Sequence, residues 1–181
     1  MNFLKRTYNW TLKKAEHKNA KWYLSLISFA ESSFFPIPPD ILLIPMALAS
    51  KANALFYAFI CTLFSVLGGI LGYAIGYFFY NSVGIYIVEF YHLENSFSVF
   101  ENYYKEFGIL IVLGAGITPF PYKFITIASG VFGLNIFLFI IISIIGRGLR
   151  FYLIAILLYF FGEKIKLIID KYFNTLTIVF F

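Results

Sequence analysis

Residues 31–40 read Glu31-Ser32-Ser33-Phe34-Phe35-Pro36-Ile37-Pro38-Pro39-Asp40, and this segment decides how the chain folds. It puts two carboxylates and three prolines into an apolar stretch. A related segment reads Gly114-Ala115-Gly116-Ile117-Thr118-Pro119-Phe120-Pro121-Tyr122-Lys123. Charges and irregular backbone survive inside lipid only where protein or a water-filled cavity satisfies their polar groups. Two such broken segments in corresponding halves of a chain are typical of a transporter's binding site.

The composition predicts an integral membrane protein. Hydrophobic residues make up 61% of the chain and charged residues 13%, which is far from the average of soluble domains. The run from Ala52 to Tyr80 has no charge, and the run from Leu134 to Gly162 has only Arg147 and Arg150. Each run exceeds the roughly 20 apolar residues that cross a bilayer. We therefore expect a single membrane domain over residues 1–181.

The distribution of charge predicts the topology. Lysines and arginines cluster before the first apolar segment and after the last one, whereas the middle of the chain is acidic. Cytoplasmic segments carry the excess of Lys and Arg, so both termini are expected inside and the acidic middle outside. The net charge of +5 is then a topology signal, and we expect no nucleic-acid partner.

We divide the chain into five segments. Residues 1–21 are a basic interfacial helix, 22–85 the first repeat, 86–106 an outer amphipathic segment, 107–162 the second repeat and 163–181 a C-terminal tail. Pro36-x-Pro38 and Pro119-x-Pro121 lie 83 residues apart, and two Tyr-Phe-Phe triplets lie 82 apart. The predicted fold class is an all-α integral membrane protein, an inverted repeat of a re-entrant helical hairpin plus a transmembrane helix.

Two alternatives to this arrangement stay open. The two amphipathic segments, residues 1–21 and 86–106, could pack against other protein helices instead of lying at the membrane surface. If both hairpins crossed the membrane fully, the acidic middle would be cytoplasmic, which the charge distribution disfavours.

A row of glycines marks the first spanning segment: Gly68, Gly69, Gly72 and Gly76. Small residues at a spacing of four let another helix approach closely. We interpret these glycines as helix-packing residues, with a glycine-lined substrate path as the alternative.

Glu31 and Asp40 are the candidate proton-coupling residues. On the hairpin interpretation they flank one turn and share a cavity, where low dielectric and a second carboxylate make a carboxyl group bind protons more readily. A structural role is the alternative: either acid could pair permanently with a buried cation, and Asp40 is well placed to cap the second arm.

Lys123, Arg147 and Arg150 are the candidate ligands of a lipid head group. Arg147 and Arg150 lie three apart, on one face of a helix, and the guanidinium fork suits a phosphate. Simple neutralisation of the two acids is the alternative. The hairpins themselves are shaped by the prolines Pro36, Pro38, Pro39, Pro119 and Pro121.

Enzyme and metal motifs are missing from the sequence. The single cysteine, Cys61, lies in an apolar run and is expected to pack there. His17 and His92 lie far apart, so we predict no metal site. Without a catalytic motif near the acids, we expect neither an enzyme nor a cofactor.

These motifs resemble the DedA family of bacterial inner-membrane proteins, which share the VTT domain, and more narrowly its YqaA-like branch. The resemblance runs from about Trp22 to Gly162 and includes Gly146-Arg-Gly-Leu-Arg-Phe151. It implies opposed re-entrant hairpins, and it implies transport of phospholipids or undecaprenyl phosphate linked to proton-motive force. The chain departs from the family where many members carry arginines in the second hairpin, because Lys123 is the only cation there.

The expected function is that of a transporter or scramblase of the bacterial inner (cytoplasmic) membrane. Its partners would be protons and membrane lipids with an anionic or phosphate head group, such as a phospholipid or an isoprenoid phosphate, and a homo-oligomer is compatible with this. A proton–cation antiporter and a non-transporting membrane scaffold are the alternatives.

Overall fold

The computed structural model describes the backbone of residues 19–35, 38–92 and 94–180, with side chains as far as residue 162 except those of residues 81, 87, 94 and 96. These residues are almost entirely helical and form no strand. The seven α-helices among them are α1 (Ala20–Ser33), α2 (Asp40–Ala49), α3 (Ala54–Phe79), α4 (Ile85–Phe90), α5 (Glu94–Ile117), α6 (Tyr122–Val131) and α7 (Ile136–Phe180). A 3₁₀ turn (Lys51–Asn53) precedes α3, and a π-helical turn (Tyr80–Gly84) links it to α4. The all-α part of the prediction is confirmed.

Both proline-rich segments end one helix and begin another. The first separates α1 from α2, and the second separates α5 from α6, which begins directly after Pro121. Proline lacks a backbone N–H and disfavours helical backbone at the residue before it. A single proline, Pro45, lies inside α2, but the clustered prolines of these two segments do not continue a helix. Helices α2 and α6 have 10 residues each, or about 15 Å of length. A helix, a break, a short helix and a long helix thus follow one another twice.

Two stretches are long and apolar enough to cross a membrane: Lys51–Gly84 and Ile136–Gly162. They coincide with the two apolar runs of the sequence. The predicted segment boundaries after residues 106 and 162 fall inside α5 and α7, because no proline interrupts either helix there. Residues 1–18 of the predicted interfacial helix, and Pro36, lie outside the described residues.

The glycines of α3 bring two other helices into backbone contact. A Cβ atom on Gly68 would lie 2.0 Å from the carbonyl oxygen of Phe29 in α1, and one on Gly76 would lie 2.0 Å from that of Ile127 in α6. Between them, a Cβ on Gly72 would lie 2.3 Å from Oγ1 of Thr126. A Cβ atom on Gly69 would make an ordinary van der Waals contact, 3.4 Å from the ring of Phe139. Gly68, Gly72 and Gly76 are spaced by four residues, so α1 and α6 pack side by side against one face of α3.

Buried apolar side chains form two clusters. The first includes Leu43, Cys61 and Phe151, and the second includes Tyr122 and Phe139. Cys61 is fully buried, as its predicted packing role requires. Arg147 of α7 lies where the two clusters meet, because its guanidinium contacts Tyr122 of one and Phe151 of the other.

Candidate functional site

The centre of the site is an ion pair between Glu31 and Arg147. Glu31 lies in the last turn of α1, and Arg147 lies in α7. Nη2 of Arg147 donates to Oε2 of Glu31 over 2.6 Å, and only 1% of Arg147 is exposed. A buried charge without a partner is very costly, so each of these two residues requires the other.

Two serines close a ring of hydrogen bonds around this ion pair. Nε of Arg147 donates to Oγ of Ser65 over 2.6 Å, and Oγ of Ser32 donates to Glu31 Oε2 over 3.1 Å. The two serine oxygens are 2.6 Å apart. A carboxylate only accepts, and a hydroxyl carries one hydrogen. The Ser65 hydroxyl must therefore donate to Ser32, which fixes the direction of every bond in the ring.

Two aromatic rings enclose the Arg147 guanidinium. Its central carbon lies 4.9 Å from the ring centre of Tyr122 and 4.7 Å from that of Phe151. The hydroxyl of Tyr122 and Oγ of Ser143 are 2.6 Å apart, which holds the first ring in place. The negative faces of aromatic rings attract a cation, most strongly where water is excluded. The rings thus offset part of the cost of burying this arginine.

A second ion pair lies one turn further along α7. Arg150 donates from Nη2 to Oδ2 of Asp40, the first residue of α2, and from Nη1 to the carbonyl oxygen of Thr118 over 2.6 Å. One arginine therefore links the first proline break to the second. Asp40 makes no side-chain cap, because Pro39 holds the N-cap position. Its Oδ1 is buried and has no hydrogen-bond partner among the described residues.

The two proline-broken segments are in direct contact. Oγ1 of Thr126 in α6 donates to the carbonyl oxygen of Ser32 in α1 over 2.9 Å and lies 2.9 Å from that of Lys123. The end of α1 and the first turns of α6 are thereby tied together. Nothing in the sequence pattern had indicated whether the segments touch.

A cavity of about 190 Å³ lies between the two breaks. Its walls bring together most of the residues that the sequence singled out: Glu31, Phe35, Pro38, Pro39, Pro119, Phe120, Pro121, Lys123, Phe124, Arg147 and Arg150. Asp40 stands behind the wall through its bond to Arg150.

The charges of the cavity do not balance. Glu31 offsets Arg147, and Asp40 offsets Arg150, whereas Lys123 has no carboxylate partner among the described residues. The Lys123 Nζ lies 5.4 Å from the centre of the Phe124 ring. Within the described part of the chain, no three His, Cys, Asp or Glu side chains are placed to hold a metal ion. The surplus cation instead favours an anion.

Sequence reasoning missed several side chains of the site, among them Ser32, Ser65, Tyr122, Thr126 and Phe151. Hydroxyl and aromatic residues are common throughout this chain, so their type alone does not distinguish them. One signal was present: Ser65 and Arg147 are 82 positions apart, the spacing of the repeat.

Fold and site together define an all-helical protein with two helices long and apolar enough to cross a membrane, and with a charged cavity between two proline breaks. A protein of Haemophilus influenzae described only as uncharacterized is 38% identical over 157 residues, which are 87% of this chain and 81% of the relative. Another, of Histophilus somni, is 36% identical over 160 residues, which are 87% and 82% of the two chains. The chain belongs to the family of these two proteins.

No family model matches the chain, and no solved structure matches it. The resemblance to the DedA family therefore stays a prediction.

Proposed function

We propose that this chain is a multi-pass protein of the bacterial inner membrane, in which each repeat contributes a re-entrant hairpin and a spanning helix. The exposed leucines Leu63, Leu67 and Leu71 of α3 support this, because they form an apolar row on the outer face of the helix. The exposed surface of α7 is apolar as well, at Ile141 and Ile145. Exposing contiguous apolar surface of this kind to water is unfavourable, whereas contact with lipid chains is favourable.

The proposed activity is transport of a lipid with an anionic, phosphate-bearing head group, either a phospholipid or an isoprenoid phosphate. The observation that carries it is the cavity between the proline breaks, whose three cations face Glu31 in the wall and Asp40 behind it, so that Lys123 is left unmatched. The cavity is smaller than the roughly 300–1,000 Å³ of pockets for drug-sized ligands, so it accommodates the head group while the acyl or isoprenoid chains stay in the bilayer.

Proton coupling follows from the ion pair between Glu31 and Arg147. A proton that binds the Glu31 carboxylate makes it neutral and weakens its attraction to Arg147. The guanidinium is then available to a phosphate oxygen, to which it can donate two parallel hydrogen bonds. Loss of the proton restores the internal pair and releases the head group. Asp40 and Arg150 provide a second pair that can respond in the same way.

The test is lipid crossing in sealed proteoliposomes, with and without a proton gradient. Labelled phospholipid and isoprenoid phosphate are compared for wild type, Glu31→Gln and Lys123→Gln. Lys105→Gln is the matched control, because it removes one positive charge from a lysine that is 64% exposed and remote from the cavity. We expect Lys123→Gln to slow crossing about tenfold, since a hydrogen bond to a charged group is worth about 1.5–3 kcal/mol.

Each result selects one of the functions. Gradient-dependent crossing that fails in Glu31→Gln supports a coupled lipid transporter, and crossing indifferent to the gradient supports a passive scramblase. Proton-linked cation flux without lipid crossing would overturn the proposal in favour of an antiporter. A folded protein that moves neither lipid nor ions would be a scaffold.

A further inference from the structure

A second cavity, of about 210 Å³, lies at the opposite end of α6 from the charged one. Lys123 and Phe124, in the first turn of α6, line the charged cavity, whereas Gly130 and Val131, in its last turn, line this second cavity. Ten residues of helix, about 15 Å, connect the two. The second cavity has no part in the proposed lipid transport.

The walls of the second cavity are aromatic. Tyr77, Tyr80, Phe97 and Phe132 all line it. The rings of Tyr80 and Phe97 are stacked with centres 4.8 Å apart, and Phe132 lies 5.1 Å from Phe97. The face of an aromatic ring carries negative electrostatic potential and attracts cations, alkylated ammonium groups above all.

Besides its aromatic walls, the second cavity carries negative charge, in contrast to the first cavity. Among the described residues, Glu101 is the one charged residue that lines it, and Glu89 adds its negative potential at Tyr80. The last turn of α6 contributes the negative end of the helix dipole. The one cation bonded to Glu101 is Lys105, whose Nζ lies 2.7 Å from Oε1 on a largely exposed side chain. Aromatic faces, a carboxylate and a helix C-terminus all favour a cation.

We propose that this cavity binds a small organic cation, an alkylated or primary ammonium group, against the rings of Tyr80, Phe97 and Phe132 and the carboxylate of Glu101. Its volume equals that of about seven water molecules at roughly 30 Å³ each. It therefore suits a head group or a small amine and is too small for a large molecule. The two ends of α6 then serve ligands of opposite charge.

The experiment measures binding of tetramethylammonium to the purified, detergent-solubilised protein by saturation-transfer NMR. The comparison ligand is neopentyl alcohol, which is uncharged and similar in size and shape. We expect Glu101→Gln and Phe97→Leu each to weaken binding about fivefold, within the range of cation–aromatic and exposed charge interactions. Lys105→Gln should bind more tightly, because it removes the cation that competes for Glu101. The Lys105 and Glu101 side chains are 64% and 36% exposed, so folding is retained in the two charge variants.

Three results would overturn this inference. They are equal binding of neopentyl alcohol and tetramethylammonium, no binding of tetramethylammonium to folded wild type, and unchanged binding in Glu101→Gln. None of them bears on lipid crossing, which depends on the other end of α6.

Discussion

Arg147 donates a hydrogen bond from Nε to Oγ of Ser65 over 2.6 Å, and these two residues are 82 positions apart in the sequence. The same spacing separates Tyr77 from Tyr159 in the repeated aromatic triplets. On the predicted repeat, Ser65 in α3 and Arg147 in α7 would be equivalent positions. The prediction thus pairs two positions that meet at the centre of the site, a hydroxyl on one helix and a cation on the other.

Replacing Ser65 by alanine should destabilise the protein. The change leaves Nε of the buried Arg147 without an acceptor, and an unsatisfied buried donor costs about 1–3 kcal/mol. Ser82→Ala is the control, because Ser82 is exposed and its hydroxyl donates to the backbone carbonyl of Phe78, one turn earlier in the chain. Thermal unfolding in detergent measures both variants, and equal melting temperatures would contradict the closed ring.

Glu31→Ala should destabilise the protein far more than Glu31→Gln. Alanine leaves the Arg147 charge buried and unpaired, at a cost of about 3–5 kcal/mol. The glutamine amide oxygen still accepts a hydrogen bond from Arg147, so the loss is smaller. The unfolding midpoint in denaturant compares the two variants.

The double variant Glu31→Gln, Arg147→Met provides the control for this pair. It removes both charges, so it should recover part of the stability that Glu31→Ala loses.

If Glu31→Gln unfolds like wild type and yet fails in lipid crossing, the scaffold alternative loses its support.

Gly76→Ala and Gly148→Ala should change stability in opposite directions. The Cβ added at Gly76 would lie 2.0 Å from the Ile127 carbonyl oxygen, so α6 must shift, at a cost of about 1–3 kcal/mol or more. At Gly148 in α7 the nearest atom, Cγ2 of Thr62, lies 3.8 Å away, so alanine fits and should gain up to about 1 kcal/mol of helix propensity. Unfolding curves of the two variants measure the change in stability. If both variants were destabilised, the space around the added Cβ atom would not explain the difference between the two sites.

Arg150→Lys should weaken the link between the proline breaks. Arginine reaches Asp40 and the carbonyl of Thr118 with two separate nitrogens, whereas lysine has a single ammonium group. We expect a loss of about 1.5–3 kcal/mol, the value of a hydrogen bond to a charged group. A double-mutant cycle with Asp40→Asn isolates the pair. Strictly additive effects would mean that the two side chains do not interact.

Tyr104 should make stability depend on alkaline pH. Burial raises the pKa of Tyr104 to about 12, despite the hydrogen bond with Ser129 that lowers it. In the unfolded chain the pKa is about 10. Ionisation then favours the unfolded state as pH rises from 10 towards 12, by at most about 1.4 kcal/mol for each pH unit.

Tyr104→Phe is the control for this pH dependence, since it removes only this phenol. The stability of wild type should fall more steeply than that of the variant above pH 10. Parallel curves for the two proteins would contradict the raised pKa.

Much of the fold follows from the sequence because it rests on strong local effects. Clustered prolines break helices, although the single Pro45 lies inside α2, so the ends of α1 and α5 and the starts of α2 and α6 were predictable. Glu31, Lys123 and Arg147 were expected at one site because charges are too costly to scatter through an apolar chain. The continuity of α5 was not predicted, because the change from acidic to apolar residues near position 106 alters the helix's surroundings and not its backbone.

The partners of each charge could not be read from the sequence. The pairing of Glu31 with Arg147 and of Asp40 with Arg150 depends on which turns of α7 face α1 and α2, and tertiary packing decides this. Ser32 and Ser65 resemble the other serines of the chain until the fold places them beside an arginine. Of the two structural alternatives for Asp40, the structure has no cap on α2, and the carboxylate pairs with a cation, Arg150.

The glycine contacts of α3 also concern how this family can diverge. Gly68 and Gly76 meet the carbonyl groups of α1 and α6, so main-chain atoms determine where the two broken segments lie. Of the charged residues that line the cavity, Glu31, Arg147 and Arg150 also tie these segments together through ion pairs, whereas Lys123 has no carboxylate partner among the described residues. Over evolution, a lineage can therefore exchange Lys123 alone and acquire a new cargo, while the paired charges have to change together on a framework that the glycines hold constant.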